Sequence, residues 1–225
     1  MTQCNLVYLH GFASSPASGK AQFLAGHLAQ HGILLHCPDL NRPDFSTLTT
    51  TRMIDQVVNH IGLLPQAPVV LIGSSLGAFV ALHLADRLMA SESVAHPITK
   101  LVFLAPALDF GRAGVQELGE KGLEQWRRDG WVEMMHYALG EPRRIHYEFY
   151  SDAGLYDSES SCVQVPTLVI QGRHDVVVNP MVVKKFVSTR PHVNLVMVDD
   201  DHQLGKSFDR MWEEIASFLD LDDNP

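Results

Sequence analysis

Short runs of apolar, β-branched residues alternate with longer stretches of helical period along most of this chain. The pattern predicts strands at 6–9, 34–38, 69–72, 101–104, 167–171 and 194–198, and helices at 20–30, 49–60, 78–89, 181–188 and 207–219. Several strand runs, such as Val69-Val70-Leu71-Ile72, are apolar at consecutive positions. That is expected when helices cover both faces of a sheet. The regular alternation therefore predicts an α/β fold with a doubly wound, mainly parallel sheet of about six strands.

One stretch breaks the rhythm. Between Pro106 and Pro166 the chain is rich in Gly, Trp, Met and charge, and 115–139 reads as helical. The expected organisation is a core of 1–106 and 166–225, with 107–165 inserted as a helical cap or lid over one end of the sheet. The acidic tail, 220–225, is expected to fray. No internal repeat or low-complexity tract interrupts this plan.

Composition narrows the class. A chain of 225 residues with 46% hydrophobic and 19% charged residues has enough apolar content for one large core. The net charge of -9 comes without a basic cluster longer than Arg127-Arg128 or Arg143-Arg144, which argues against a nucleic-acid partner. No apolar stretch has the length of a membrane span, and the first residues lack the pattern of a secretory signal. Cys4, Cys37 and Cys162 are too scattered for a disulfide framework, so a reducing cytoplasm is the expected location.

Chemistry concentrates where strands end. In open α/β sheets ligands bind beyond the carboxyl ends of the strands. Gly73-Ser74-Ser75-Leu76-Gly77 follows one strand run and leads into the apolar helix run that begins at Ala78. It reads as a nucleophile elbow, a sharp strand-to-helix turn that needs small residues two positions either side of the serine. Ser75 is the candidate nucleophile. His202 follows the last strand and is the candidate general base, because a neutral imidazole can take the serine proton and return it to a leaving group. Asp175, after the strand at 167–171, is the candidate that orients the imidazole; Asp199, Asp200, Asp201 and Asp109 compete for that role. The backbone N–H groups of Phe12 and Leu76 are the candidate oxyanion donors.

Other motifs carry less. His10 is read as support for the turn at Gly11. His27 and His31 lie four residues apart, but Leu28 stands where a zinc-protease motif needs Glu, so no metal is expected. Neither a dinucleotide fingerprint nor a phosphate-binding loop is present. Within the insertion, Trp126, Trp131 and Met134, with Met135 and Tyr137, are candidates to line an acyl pocket; the alternative is that they pack the insertion onto the core.

The segment Tyr8-Leu9-His10-Gly11-Phe12-Ala13-Ser14-Ser15-Pro16-Ala17-Ser18-Gly19-Lys20-Ala21 resembles the first loop and helix of small bacterial YqiA-like esterases of the α/β-hydrolase superfamily. Gly73-Ser74-Ser75-Leu76-Gly77-Ala78-Phe79 is similar to their elbow, and Gly172-Arg173-His174-Asp175 with Asp201-His202 resembles their acid and base segments. The resemblance implies a serine-dependent carboxylester hydrolase acting on a small or medium ester, without cofactor or metal. The insertion looks longer than such compact proteins need, so substrate preference does not carry over. The same three side chains would also serve a thioesterase or a carbon–carbon bond hydrolase, and a binding protein can keep the fold without turnover.

Overall fold

The computed structural model describes residues 4–89, 95–112 and 118–221. Six parallel strands form one sheet: β1 (Asn5–Leu9), β2 (Leu35–His36), β3 (Val69–Ser74), β4 (Ile98–Leu104), β7 (Thr167–Gly172) and β8 (Val193–Val198), in the order β2-β1-β3-β4-β7-β8. The helices α1 (Gly19–Gln30), α2 (Thr50–Gly62), α3 (Leu76–Met89), α6 (Pro180–Ser188) and α7 (Phe208–Phe218) cover it.

The consecutive apolar residues of the strands divide between two cores. Val7, Leu9, Leu71, Phe103 and Val169 pack with α2, α3 and α6 on one face. Leu6, Tyr8, Ile72, Val102, Leu104 and Ile170 pack with α1 and α7 on the other. Alternation across the pleat thus fills both faces from one uninterrupted apolar run. Five of the expected strands appear at nearly their expected positions. The second shrinks to two residues at the sheet edge, because Leu34 faces solvent and Pro38 offers no N–H to a ladder.

The chain runs outward from β1 to β2 and then crosses to β3 on the opposite side, so the winding reverses between β1 and β3. A crevice opens at such a reversal. Register places Leu9 opposite Gly73, which sets the loop after β1 beside the turn after β3.

The segment 107–165 departs from its helical expectation. Helix α4 (Gly119–Asp129) ends at Gly130, whose φ of 78° is left-handed and whose N–H donates to the Trp126 carbonyl at 2.8 Å. The chain then forms an antiparallel hairpin of β5 (Trp131–His136) and β6 (Glu141–His146), followed by the short helix α5 (Glu148–Ala153). Met134 and His136 point inward while Glu133 and Met135 are exposed, a period of two that a helix cannot produce. Val115, Gln116 and Glu117, the start of the expected helix, lie outside the described residues, as does the tail from Asp222.

Trp126, Met134, Ile145 and Phe149 join the core on the α2 and α3 face. Asp152 fastens the insertion to the first turn of α2, accepting from the Thr51 N–H at 2.9 Å and the Thr51 hydroxyl at 2.6 Å. At the hairpin turn the Ala138 N–H donates to the Ala13 carbonyl at 3.1 Å. Among the described residues no helix is long and apolar enough to cross a membrane.

Candidate active site

Ser75 sits between the end of β3 and the start of α3 with φ at 53°. A non-glycine residue in this left-handed region costs about 1–3 kcal/mol, and its surroundings must hold it there. The Ser75 N–H donates to the Leu104 carbonyl at 2.9 Å, and the Ser75 carbonyl accepts from Ala78 at 3.0 Å and Ala107 at 3.2 Å. The flanking glycines are a matter of space. A Cβ on Gly73 would stand 2.4 Å from Ala78 Cα, and one on Gly77 would stand 2.0 Å from the Leu9 carbonyl oxygen. The turn therefore packs backbone against backbone and leaves only the serine side chain to project.

His202 and Asp175 reach Ser75 from the ends of β8 and β7. His202 Nε2 lies 3.1 Å from Ser75 Oγ, and Nδ1 lies 2.8 Å from Asp175 Oδ2. The Asp175 carboxylate is buried and accepts three more hydrogen bonds, from the Val177 and Val178 N–H groups and from Gln171 Nε2. Burial alone would raise its pKa, but the hydrogen bonds from His202, Val178 and Gln171 outweigh it and hold the carboxyl below its ordinary range. An ionised acid accepts the Nδ1 proton of His202, which leaves Nε2 as an acceptor toward Ser75.

The three competing acids after β8 have other partners, and Asp109 lines a different pocket. Asp200 accepts from the Asp201 and Lys206 N–H groups and the Ser207 hydroxyl, so it organises the loop that carries His202. Asp201 accepts from the Gln203 N–H, and exposed Asp199 pairs with His174 at 2.7 Å. The His202 loop also needs Gly172, where a Cβ would meet the Asp201 carbonyl oxygen at 2.4 Å. His10 Nδ1 donates to the Gly11 carbonyl at 2.9 Å, and Nε2 accepts from the Leu40 N–H at 3.0 Å. Burial lowers the His10 pKa, in keeping with a neutral ring that fixes the turn. His27 and His31 stack against Trp212.

A cleft of about 350 Å³ opens at Ser75 and His202. Phe12 and the hairpin-turn residue Tyr137 line it, together with Tyr8 and Lys20. Gly11 brings the first loop close enough that a Cβ there would lie 4.0 Å from Ser75 Oγ. Trp126, Trp131 and Met134 are not among the residues of this cleft. Trp126 is fully buried and donates Nε1–H to the Ile145 carbonyl at 3.2 Å. Met134 packs into the core shared with α2 and α3, and Trp131 lies at the surface beneath the Arg144 guanidinium. Periodicity located these side chains but could not give their direction. Sequence reasoning missed Lys20, whose contact with the His202 carbonyl spans 182 residues, and Gln171, whose amide reaches Asp175 four residues on across a strand end that no periodic pattern describes.

Comparison with known proteins agrees with this architecture. A protein from Agrobacterium vitis S4 superposes with a TM-score of 0.82 at 24% identity, covering 96% of this chain and 88% of that one. Mouse alpha/beta hydrolase domain-containing protein 10 superposes with 0.79 at 18% identity, covering 96% and 89%. Est1E from Butyrivibrio proteoclasticus, seen with ferulic acid bound, gives 0.79 at 17% identity, covering 97% and 88%. The fold is that of the α/β hydrolases. The model of the uncharacterised protein family UPF0227 matches residues 5–220, and the chain belongs to that family.

Proposed function

We propose that this protein is a serine hydrolase that cleaves a small or medium carboxylic ester through an acyl-enzyme, with Ser75 as nucleophile, His202 as general base and acid, and Asp175 as the orienting carboxylate. The observation that carries the reading is the His202 ring, held between Ser75 Oγ at 3.1 Å and Asp175 Oδ2 at 2.8 Å. In the first half-reaction Ser75 Oγ attacks the ester carbonyl carbon as its proton passes to His202 Nε2. The carbonyl oxygen gains the negative charge and takes hydrogen bonds from the Phe12 and Leu76 N–H groups. The carbon–oxygen bond to the alcohol then breaks, and the Nε2 proton goes to the departing alkoxide oxygen. In the second half-reaction water attacks the acyl carbon, gives its proton to His202 and releases the acid, with Ser75 regaining its hydrogen. Asp175 stabilises the imidazolium in both halves.

The segment 107–165 acts as the cap. Its hairpin turn brings Tyr137 to the cleft, while the rest of it packs against α2 and α3. The three cysteines are unpaired, which fits a cytoplasmic protein.

The test is fluorophosphonate labelling of wild type, Ser75→Ala and Ser74→Ala, with hydrolysis of C2 to C12 p-nitrophenyl esters followed in parallel. Loss of both label and turnover in Ser75→Ala alone supports the assignment. A wild type that neither labels nor turns over any ester or acyl thioester overturns it in favour of a binding protein.

A further inference from the structure

Lys20 is placed against the ordinary preferences of a lysine. It is the second residue of α1, where the helix dipole disfavours a cation, and it is nine-tenths buried. Among the described residues it makes no ion pair, and its one hydrogen bond is a long one of 3.5 Å to the His202 carbonyl. The nearby acids do not neutralise it by contact. Asp175 already accepts four hydrogen bonds and Asp200 three, all from other groups. Lys20 opens instead onto the cleft that holds Ser75 and His202.

An ammonium has three donors, and a buried one without partners is costly. Within a cleft it attracts an anion more strongly than it would in bulk water. We infer that Lys20 is a specificity residue that binds a carboxylate on the substrate, so that the preferred esters are monoanionic, carrying a free carboxylate a few bonds from the ester group. This inference rests on the hydrolase reading above and names the substrate class of that site. Burial lowers the Lys20 pKa to about 8, with Asp175, Asp201 and Asp200 opposing the drop, so the side chain is largely charged at neutral pH. The carboxylate completes the hydrogen bonding of a group that the fold leaves short of acceptors. A charge-assisted hydrogen bond of this kind contributes about 10- to 100-fold in kcat/KM.

Two matched pairs of esters test this by pH-stat. Monomethyl succinate and methyl 4-methylpentanoate differ only by carboxylate against isopropyl on the acyl side. Acetoxyacetate and isobutyl acetate differ in the same way on the alcohol side. The expected result is that the wild type prefers the anionic member of at least one pair by about 10-fold or more, and which pair shows it reports the half of the ester that faces Lys20. Lys20→Gln brings that ratio to unity or below, whereas Lys184→Gln, which removes a positive charge from exposed α6, preserves it. A wild type that cleaves these esters without anionic preference in either pair overturns the inference, and does so even if Lys20→Gln fails to fold. An equal fall for all four esters in Lys20→Gln also overturns it, because Lys20 would then serve only to support the His202 carbonyl. Binding separates this inference from the hydrolase reading. Saturation-transfer NMR should detect at least one of monomethyl succinate and acetoxyacetate on Ser75→Ala but neither on Ser75→Ala/Lys20→Gln. If the wild type neither takes the fluorophosphonate label nor cleaves any ester or acyl thioester yet binding depends on Lys20, the hydrolase reading falls and the carboxylate site stands; if Ser75→Ala binds neither anionic ester, the carboxylate site falls.

Discussion

The loops after β1, β3, β7 and β8 and the insertion at 107–165 border the same cleft, yet they are fixed in different ways. In the loops, hydrogen bonds to the main chain set most positions. Ser75 is tied by its own N–H and carbonyl, Asp175 by two consecutive N–H groups, and the His202 loop by the buried Asp200 carboxylate. The insertion depends on a few side chains: Trp126 against the Ile145 carbonyl, Asp152 on α2, and apolar residues pressed onto the core. A two-stranded hairpin is marginal alone, so this packing has to hold it in place. The difference separates chemistry from selectivity. The side chains proposed to react are held largely through main-chain hydrogen bonds, whereas the cleft's border on the hairpin is made of side chains that can be exchanged without disturbing the sheet.

The sharpest way to break the comparison is at the side chains proposed to react. His202→Ala should lower kcat by about 10⁵-fold or more in steady-state ester hydrolysis, while thermal unfolding changes little. A comparable rate loss from a substitution at Trp131, on the insertion's surface, would contradict the division. Next is the backbone packing beneath the elbow. Gly77→Ala forces a Cβ to within 2.0 Å of the Leu9 carbonyl oxygen, with no flexible side chain to yield. The expected cost exceeds about 4 kcal/mol, seen as loss of soluble protein or a large drop in urea midpoint.

Trp126→Ala probes the other region. It empties a fully buried site and removes the hydrogen bond to Ile145, at an expected cost of about 3 kcal/mol. The damage should concentrate in the insertion: hydrogen exchange should rise across 119–153 while Ser75 still labels with fluorophosphonate. Equal loss of protection in β3 and β7 would show that the insertion and the core unfold as one unit.

Much of this division was legible in the sequence. Two-sided burial writes continuous apolar runs, so the central strands showed plainly, and the residues that follow them are the ones the fold gathers at its reversal point. That Ser75, Asp175 and His202 come within contact of one another was legible for that reason. The hairpin was not. Glu124, Gln125, Arg127 and Arg128 continue a helical reading, and Trp131 to His136 is too short for its period of two to override them; Gly130 is the one local sign of a stop. Lys20 was visible as a residue but not as a cleft cation, since its hydrogen-bond partner lies 182 residues away. The directions of Trp126 and Met134 depend on tertiary packing that no local pattern records.

A smaller effect comes from acid. The folded-state pKa of Asp175 is depressed, so its hydrogen bonds contribute stability that is fully present above the unfolded value of about 3.9 and is lost as pH falls through the lower folded value. The difference in melting temperature between wild type and Asp175→Asn should therefore narrow between pH 6 and pH 3. A difference that stays constant over that range would mean that the carboxylate's ionised form is not the one the fold favours.

The smallest expected effect falls where the two regions meet. Tyr137 lines the cleft from the hairpin turn and is 66% exposed, and the peptide beside it is held by the bond from Ala138 to Ala13. Removing its ring takes away contact area but leaves the main-chain tether and the reacting groups in place. Tyr137→Ala should raise KM for the longer p-nitrophenyl esters by about three- to tenfold, the loss expected when about 1 kcal/mol of ring contact is withdrawn, with kcat nearly unchanged. If kcat falls instead and KM holds, the hairpin turn acts on the transition state, and selectivity and chemistry are not separated at this border.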